Sequence, residues 1–319
     1  SNNKLYALNH NMTFQCTLRG HTDQVHHTVY LPHSNHNTSA HIVASCSEDA
    51  TICLFDTRSC MNRPVHQVHM GMGPLYSMDI HTEQSHLMCV SGETSIQLRD
   101  LRRMSNNNSN NSGGNSGNSS LLYTFDDIHT MTIRKVMFHS STNRMFSSSD
   151  DGLVHTYDLN TLFNNGGSNS SAIDPEDTLT GVINANNGVH QFGLCGTQSN
   201  IMYTVNHMHE LNLWNMETMN SILVPASSSG GSGSGALNRS HLESVYPSLL
   251  LDRFDDDDSG SGSGNDMMMD ISSPVEQSRN YLINAQYFAA TDSMYAYVGT
   301  PRSNVIICKV VINNGVASY

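Results

Sequence analysis

The chain has few basic residues, with only 15 Lys and Arg against 28 Asp and Glu, and its formal net charge is −13. Nucleic-acid binding depends on clustered Lys and Arg that neutralise phosphates, so this composition argues against direct nucleic-acid binding. The sequence also lacks any apolar run long enough to predict a membrane-spanning helix. We therefore expect a protein partner rather than a nucleic acid or a membrane.

The seven cysteines form an odd set without a CxxC pair. This pattern fits neither a disulfide framework nor a zinc site, so we expect the thiols to be reduced and mostly buried. The first residues, 1–4, do not begin a signal peptide. These features predict a cytoplasmic or nuclear protein.

Metal and cofactor sites are also not predicted, although the chain has 18 histidines. No HxxxH or HExxH pair occurs, and the dense histidines of residues 26–41 lie across a predicted loop. The glycine-rich stretch 230–235 sits in a linker rather than between a strand and a helix, so it is not a phosphate-binding loop.

The clearest pattern is a repeat in which two alternating or apolar strands flank a polar turn. Four copies align well and a fifth, at 296–310, is weaker; the four are residues 45–58, 89–102, 147–160 and 203–216. Their spacing is about 40 to 45 residues once low-complexity stretches are set aside, slightly longer before the fourth copy. We predict one domain over 1–319, with insertions between repeats at 105–120, 164–171, 227–235 and 255–274.

The stretch LRGHTDQVHHTVYLP followed by SCSEDATICLFD carries a Gly-His pair, a strand, a Ser-x-x-x-Asp turn and a closing aromatic-Asp pair. This order resembles the WD40-repeat family. The resemblance implies an all-β fold, a WD40 β-propeller with about five complete blades plus partial strands. Because an open arc leaves unpaired sheet edges, we expect an incomplete part of a seven-bladed ring.

In the WD40 family a His, a Ser or Thr, an Asp and an aromatic residue form a hydrogen-bonded tetrad that joins the hairpins of one blade. The resemblance places tetrad residues at His21, Ser45, Asp49 and Phe55, at His129, Ser147, Asp151 and Tyr157, and at Trp214. Ser47 and Ser149 are alternatives for the two serines. Phe55 has no donor, so its network should be shorter, whereas Tyr157 offers a polar tip. We interpret these residues as architectural rather than catalytic, because the arrangement recurs from blade to blade.

Two consecutive repeats end in an Asp-x-Arg sequence, Asp56 with Arg58 and Asp100 with Arg102. In the WD40 family such tandem motifs mark subunits that dock on the damaged-DNA-binding adaptor of cullin-4 ubiquitin ligases. A planar guanidinium there can fork onto carboxylates or carbonyls of a partner. The alternative is a pair of solvated turn residues that contribute little to stability. The residue before each Asp departs from the Trp or Tyr of the family motif.

The order of the divergent repeats resembles the WD repeat-containing protein 89 family, through residues 133–160, 187–216 and 281–316. We therefore predict a non-enzymatic interaction scaffold without a cofactor, monomeric within a complex, and a substrate receptor of a cullin-4 ligase. The alternative is a nuclear chaperone or assembly factor for basic clients such as histones or ribosomal proteins. The chaperone alternative is based on the segment 251–273, which joins an acidic run to a Met cluster. A simpler interpretation of this segment is a solvated insertion between blades.

Overall fold

The fold is taken from a computed structural model of the protein. It describes residues 4–8, 14–32, 41–58, 63–104, 120–164, 175–196, 199–222, 281–299, 305–313 and 316–318. The predicted insertions at 227–235 and 255–274 lie outside the described residues, as do those at 105–120 and 164–171 except for Ser120 and Asn164.

The described residues form β-strands with almost no helix. The strands are β1 (Lys4–Leu8), β2 (Phe14–Arg19), β3 (Val25–Tyr30), β4 (Ile42–Ser47), β5 (Thr51–Asp56), β6 (His66–His69), β7 (Ser77–Ile80), β8 (Leu87–Ser91), β9 (Ile96–Asp100), β10 (Leu121–Phe125), β11 (Ile133–His139), β12 (Arg144–Ser149), β13 (Leu153–Asp158), β14 (Leu179–Asn184), β15 (Val189–Cys195), β16 (Ile201–Asn206), β17 (Leu211–Asn215), β18 (Tyr281–Phe288), β19 (Ser293–Gly299), β20 (Val305–Asn313) and β21 (Val316–Ser318). A short helix, α1 (Asn160–Asn164), follows β13.

The chain divides into two compact units, Ser1–Phe192 and Gly193–Tyr319. In the first unit the strands form three four-stranded sheets, β3–β6, β7–β10 and β11–β14, beside the β1–β2 pair. Each four-stranded sheet is an antiparallel meander in chain order, as expected for a propeller blade.

In the second unit, strands β18–β21 form a fourth such sheet. The sheet β15–β17 has three strands among the described residues, and beyond β17 an isolated bridge pairs Trp214 with Ser221. The prediction of an all-β fold is confirmed, and four sheets have the four-stranded meander order of propeller blades. The larger blade number and the single domain over 1–319 stay predictions.

The second strands of the sheets β3–β6, β7–β10, β11–β14 and β15–β17 are buried on both faces. In β4, β8, β12 and β16, five residues of each strand are buried. A strand that alternates between a core and solvent would be buried only at every second residue. Small residues such as Ala44, Cys46 and Ser147, all inaccessible to solvent, fit this central position between neighbouring sheets.

The hydrophobic core of the first unit lies between neighbouring sheets. One cluster, which includes Leu98, Phe125 and Tyr157, joins the sheet β7–β10 to the sheet β11–β14. A second cluster, which includes Ala44 and Met88, joins β3–β6 to β7–β10. Apolar burial of this kind favours sheets that stack face to face, so each blade depends on its neighbour for stability.

Candidate tetrads and partner-binding surface

The first tetrad lies within the sheet β3–β6. His21, which precedes β3, places Nδ1 3.1 Å from an Asp49 carboxylate oxygen and Nε2 2.8 Å from Ser45 Oγ. Both contacts are satisfied if Nδ1–H donates to Asp49 and Nε2 accepts the Ser45 hydroxyl proton. Phe55 stands apart from these bonds and packs with Leu18 in a buried cluster.

The electrostatics of this site favour a neutral imidazole beside an ionised carboxylate. Burial lowers the pKa of His21, against the opposing effect of Asp49. Burial alone would raise the pKa of Asp49, but hydrogen bonds from Thr51 and from the Thr22 N–H outweigh it, so that the pKa is lowered. At neutral pH the neutral imidazole and the ionised carboxylate are therefore joined by a hydrogen bond, which stabilises the turn between β4 and β5.

The second tetrad lies within the sheet β11–β14 and brings all four predicted residues together. His129 places Nδ1 2.9 Å from Asp151 and Nε2 2.8 Å from Ser147 Oγ. Burial raises the pKa of Tyr157, against a smaller opposing effect from a hydrogen bond with Ser147. The Tyr157 hydroxyl also lies 3.1 Å from Nδ1 of His155.

The two alternative serines occupy a different place. The Ser47 and Ser149 hydroxyl oxygens accept the backbone N–H groups of Asp49 and Asp151 and thereby shape the turns. Ser45 and Ser147, which face the histidines, are inaccessible to solvent. A substrate would have to reach these hydroxyls for Ser-His-Asp chemistry, so their burial favours an architectural role.

Sequence reasoning did not find His155, whose ring stacks on that of His129 with centroids 4.2 Å apart. Burial, and then the neighbouring His129, lowers the pKa of His155 from 6.5 to about 4. The folded protein therefore holds His155 neutral over a pH range in which the unfolded chain binds a proton.

This difference predicts a pH-dependent stability. Because the unfolded state binds more protons below pH 6.5, the free energy of unfolding should fall as the pH falls towards 4, by about 3 kcal/mol from His155. Urea unfolding at pH 7 and at pH 4.5 measures the fall. The His155→Phe variant, which keeps a ring over His129, should show a smaller fall; an equal fall in both proteins would contradict the assignment.

In the second repeat an arginine replaces the aromatic residue of the tetrad. Arg99 is 2% exposed, and its guanidinium donates to the Gln97 amide oxygen, to Ser120 Oγ at 3.0 Å and to the Met70 carbonyl oxygen at 2.9 Å. Burial lowers the pKa of Arg99. Ser120, predicted as the end of an insertion, is thus a buried part of this blade.

In the second unit the lone tryptophan of the chain, Trp214, is buried in β17. Its indole N–H donates to Thr204 Oγ1 at 2.9 Å, across the β16–β17 hairpin. This bond is the aromatic-to-hydroxyl contact that Phe55 cannot make in the first blade.

The two Asp-x-Arg motifs adopt the same geometry. Arg58 donates from Nε and Nη2 to the two carboxylate oxygens of Asp56, at 3.0 and 2.7 Å. Arg102 forks onto Asp100 in the same way, at 3.0 and 2.8 Å. The arginine side chains are 63% and 65% exposed. Each fork therefore holds a guanidinium at the surface in a fixed orientation.

The fork depends on a turn that recurs in every well-aligned repeat. Asp56 and Asp100 accept the backbone N–H two residues later, and so do Asp158 and Asn215. In these latter two repeats the residue at that position is Asn160 or Glu217. Among the four repeats, a guanidinium at this turn is thus confined to the first two blades.

The fork also affects the carboxylates. The hydrogen bonds from Arg58 lower the pKa of Asp56 to about 2. Hydrogen bonding from Arg102 likewise lowers the pKa of Asp100. Both aspartates are therefore ionised at neutral pH, so each fork pairs a negatively charged carboxylate with a positively charged guanidinium.

Within the described ranges, no group of three or more His, Cys, Asp or Glu side chains is arranged to hold a metal ion. No helix in the described part of the chain is both long and apolar enough to cross a membrane. Five of the described cysteines are free thiols: Cys16, Cys46, Cys53, Cys89 and Cys195.

Comparison with known proteins matches residues 12–56 and 119–158 to the family model "WD domain, G-beta repeat". The chain is 24% identical to a WD repeat-containing protein 89 homolog from Dictyostelium discoideum over 217 residues, which cover 67% of this chain and 49% of the relative. It is 26% identical to the WD repeat-containing protein GTS1 from Arabidopsis thaliana over 201 residues, 62% of this chain and 44% of the relative. The chain therefore spans about half the length of both relatives.

Proposed function

Because this chain contains repeats of the WD40 family, we propose that it is a non-enzymatic scaffold that docks other proteins through the Asp-x-Arg surface of its first two blades. WD40 propellers generally act as protein-interaction scaffolds. The observation that carries the docking surface is the repeated fork of Arg58 on Asp56 and of Arg102 on Asp100.

The fork favours binding because it restricts the arginine before a partner arrives. A free arginine side chain loses rotamer entropy when it is immobilised at an interface, and a side chain already held by a carboxylate loses less. The fork engages Nε and Nη2 of each guanidinium. Nη1 then remains to donate to a carboxylate or carbonyl oxygen of the partner.

As the specific partner we propose the adaptor of a cullin-4 ubiquitin ligase, with the chain as a monomeric substrate receptor. The tandem placement of the motif in consecutive blades supports this assignment. We also propose that the repeats belong to a seven-bladed ring, which the regular recurrence of four-stranded sheets supports. We also propose a cytoplasmic or nuclear location, with which the free, buried thiols of Cys46 and Cys53 are consistent.

Charge reversal tests the adaptor assignment. The double variant Arg58→Glu and Arg102→Glu should lose co-purification of the recombinant adaptor, because each glutamate would face both its own aspartate and the partner's acceptors. The matched control is Arg134→Glu, since Arg134 also forks onto an aspartate, Asp150, at the opposite end of a blade. Adaptor recovery by the double variant at the level of the control would refute the proposal.

Salt dependence separates the scaffold from the chaperone alternative. The acidic run 255–258, on which that alternative depends, lies outside the described residues. Charge-based binding of basic clients should fade as ionic strength rises, whereas a packed adaptor interface should persist. Loss of every co-purified protein in high salt would favour the chaperone alternative and count against the adaptor.

A further inference from the structure

A groove lies between the sheets β3–β6 and β7–β10 of the first unit and has a volume of about 370 Å³. Its apolar wall includes Leu31, Leu54, Leu101 and Met104, each only partly buried. The volume falls within the ~300–1,000 Å³ that is typical of ligand pockets in proteins. Apolar side chains left half-exposed at such a cleft between blades favour an apolar occupant.

Among the described residues that line this groove, the polar side chains can donate hydrogen bonds and none is a carboxylate. Its charged or ionisable lining residues are Arg102, His66 and His86. The nearest aspartate in the motif, Asp100, is buried beneath the Arg102 fork, with its side chain 4% exposed. An occupant with carboxylates therefore meets guanidinium and imidazole N–H groups rather than other carboxylates.

The chain that continues from the groove does not supply such an occupant. Residues 105–119, which follow Met104 directly, consist only of Ser, Asn and Gly. They contain neither an apolar side chain to fill the cleft nor a carboxylate to meet Arg102. Residues 105–119 therefore lack the side chains to fill the groove, and its guanidinium and imidazole donors fit an acidic segment of a partner protein.

We propose that this groove binds a short acidic segment of a partner protein, with a Leu or Phe side chain seated between Leu54 and Leu101 and a flanking Asp or Glu carboxylate on Arg102. This inference rests on the proposed function as a scaffold, but it adds a second binding mode to it. Arg102 belongs to both surfaces, whereas Arg58 is absent from the lining of the groove.

Fluorescence polarisation tests the groove with a labelled peptide of sequence Glu-Asp-Leu-Phe-Asp-Glu and the purified chain. Arg102→Glu and Leu101→Ser should each weaken binding by about tenfold or more, because one removes the carboxylate partner and the other the apolar contact. Arg134→Glu is the matched control, because Arg134 also forks onto an aspartate, Asp150, but does not line the groove, and it should bind as the unmodified chain does. Circular dichroism melts confirm that the variants are folded.

Three results would overturn the proposal that this groove binds an acidic segment. Unchanged binding in both groove variants would exclude the cleft as the site. Equal weakening by Arg58→Glu would assign the peptide to the forks alone. Equal affinity for a Lys-Arg-Leu-Phe-Lys-Arg peptide would contradict the acidic specificity.

A second copy of the chain is another possible occupant of the groove, and sedimentation of the chain without peptide tests for it. Self-association that Leu101→Ser abolishes would assign the groove to a second copy and overturn the assignment to a partner protein. The adaptor assay separates this proposal from the proposed function. A chain that retains the adaptor but fails to bind the peptide overturns only the groove. A chain that binds the peptide but never recovers the adaptor overturns only the adaptor assignment.

Discussion

Replacing His129 with alanine is expected to lower the free energy of unfolding of the first unit by about 3–5 kcal/mol. The imidazole is fully buried and bonds Asp151 on one side and Ser147 on the other. Its removal takes one donor from the Asp151 carboxylate, which is 6% exposed and keeps the backbone N–H groups of Thr130 and Leu153, and takes the imidazole partner from the buried Ser147 hydroxyl. It also opens a cavity beside the stacked ring of His155.

Urea unfolding followed by far-ultraviolet circular dichroism measures this loss, because the signal follows the β-sheets of the first unit, whereas the lone tryptophan lies in the second unit. The control is His139→Ala in the same sheet, where the imidazole bonds only exposed hydroxyls at Ser141 and Thr142. We expect the control to change stability by less than about 0.5 kcal/mol. A similarly small effect for His129→Ala would show that the tetrad does not stabilise the blade.

Replacing Arg99 with methionine is expected to lower the free energy of unfolding by about 2–4 kcal/mol. Methionine fills part of the volume but supplies no donor, so the Met70 carbonyl oxygen and the Gln97 amide oxygen lose the guanidinium that they accept from. Buried acceptors without a donor destabilise a protein by their full desolvation penalty. The loss should therefore exceed the effect of a typical surface substitution.

The double variant Arg99→Met and Gln97→Leu should recover part of this loss, since it removes one of the stranded acceptors. Arg103→Met provides the control, because Arg103 is largely exposed and lies 3.7 Å from Asp100. It should change stability by at most about 1 kcal/mol. Equal stability of Arg99→Met and Arg103→Met in urea would show that the buried guanidinium is dispensable.

The repeat indicated candidate tetrad residues because they recur at matching places in each hairpin. It could not choose between Ser45 and Ser47, since residues two apart on a strand project from the same face. The choice depends on where His21 arrives from outside the hairpin, which is a tertiary contact over 24 residues. The same limit applies to Ser147 and Ser149.

The role of Arg99 could not be predicted from its neighbours. An arginine ordinarily signals an exposed position, and this one is buried only because acceptors from distant parts of the chain meet there. Met70 lies 29 residues before it and Ser120 lies 21 residues after it. The groove beside Arg102 is hidden for the same reason, because its walls come from two different sheets.

The Asp-x-Arg motifs show how a short pattern acquires meaning from geometry. From the sequence, Arg58 and Arg102 are either partner-binding residues or solvated residues paired with an acid. The structure pairs both of them with the aspartate of their own motif and still leaves both side chains exposed. Internal pairing and partner binding are therefore compatible at this surface.

Quantitative affinity purification of the full-length protein, with mass spectrometry of what it retains, tests the scaffold most directly. The unmodified protein and the Arg134→Glu control should retain the same defined set of proteins, including the cullin-4 adaptor. The double variant Arg58→Glu and Arg102→Glu should lose the adaptor and whatever depends on it. An identical set of proteins for all three, or no protein enriched above the background of the purification tag, would contradict the account.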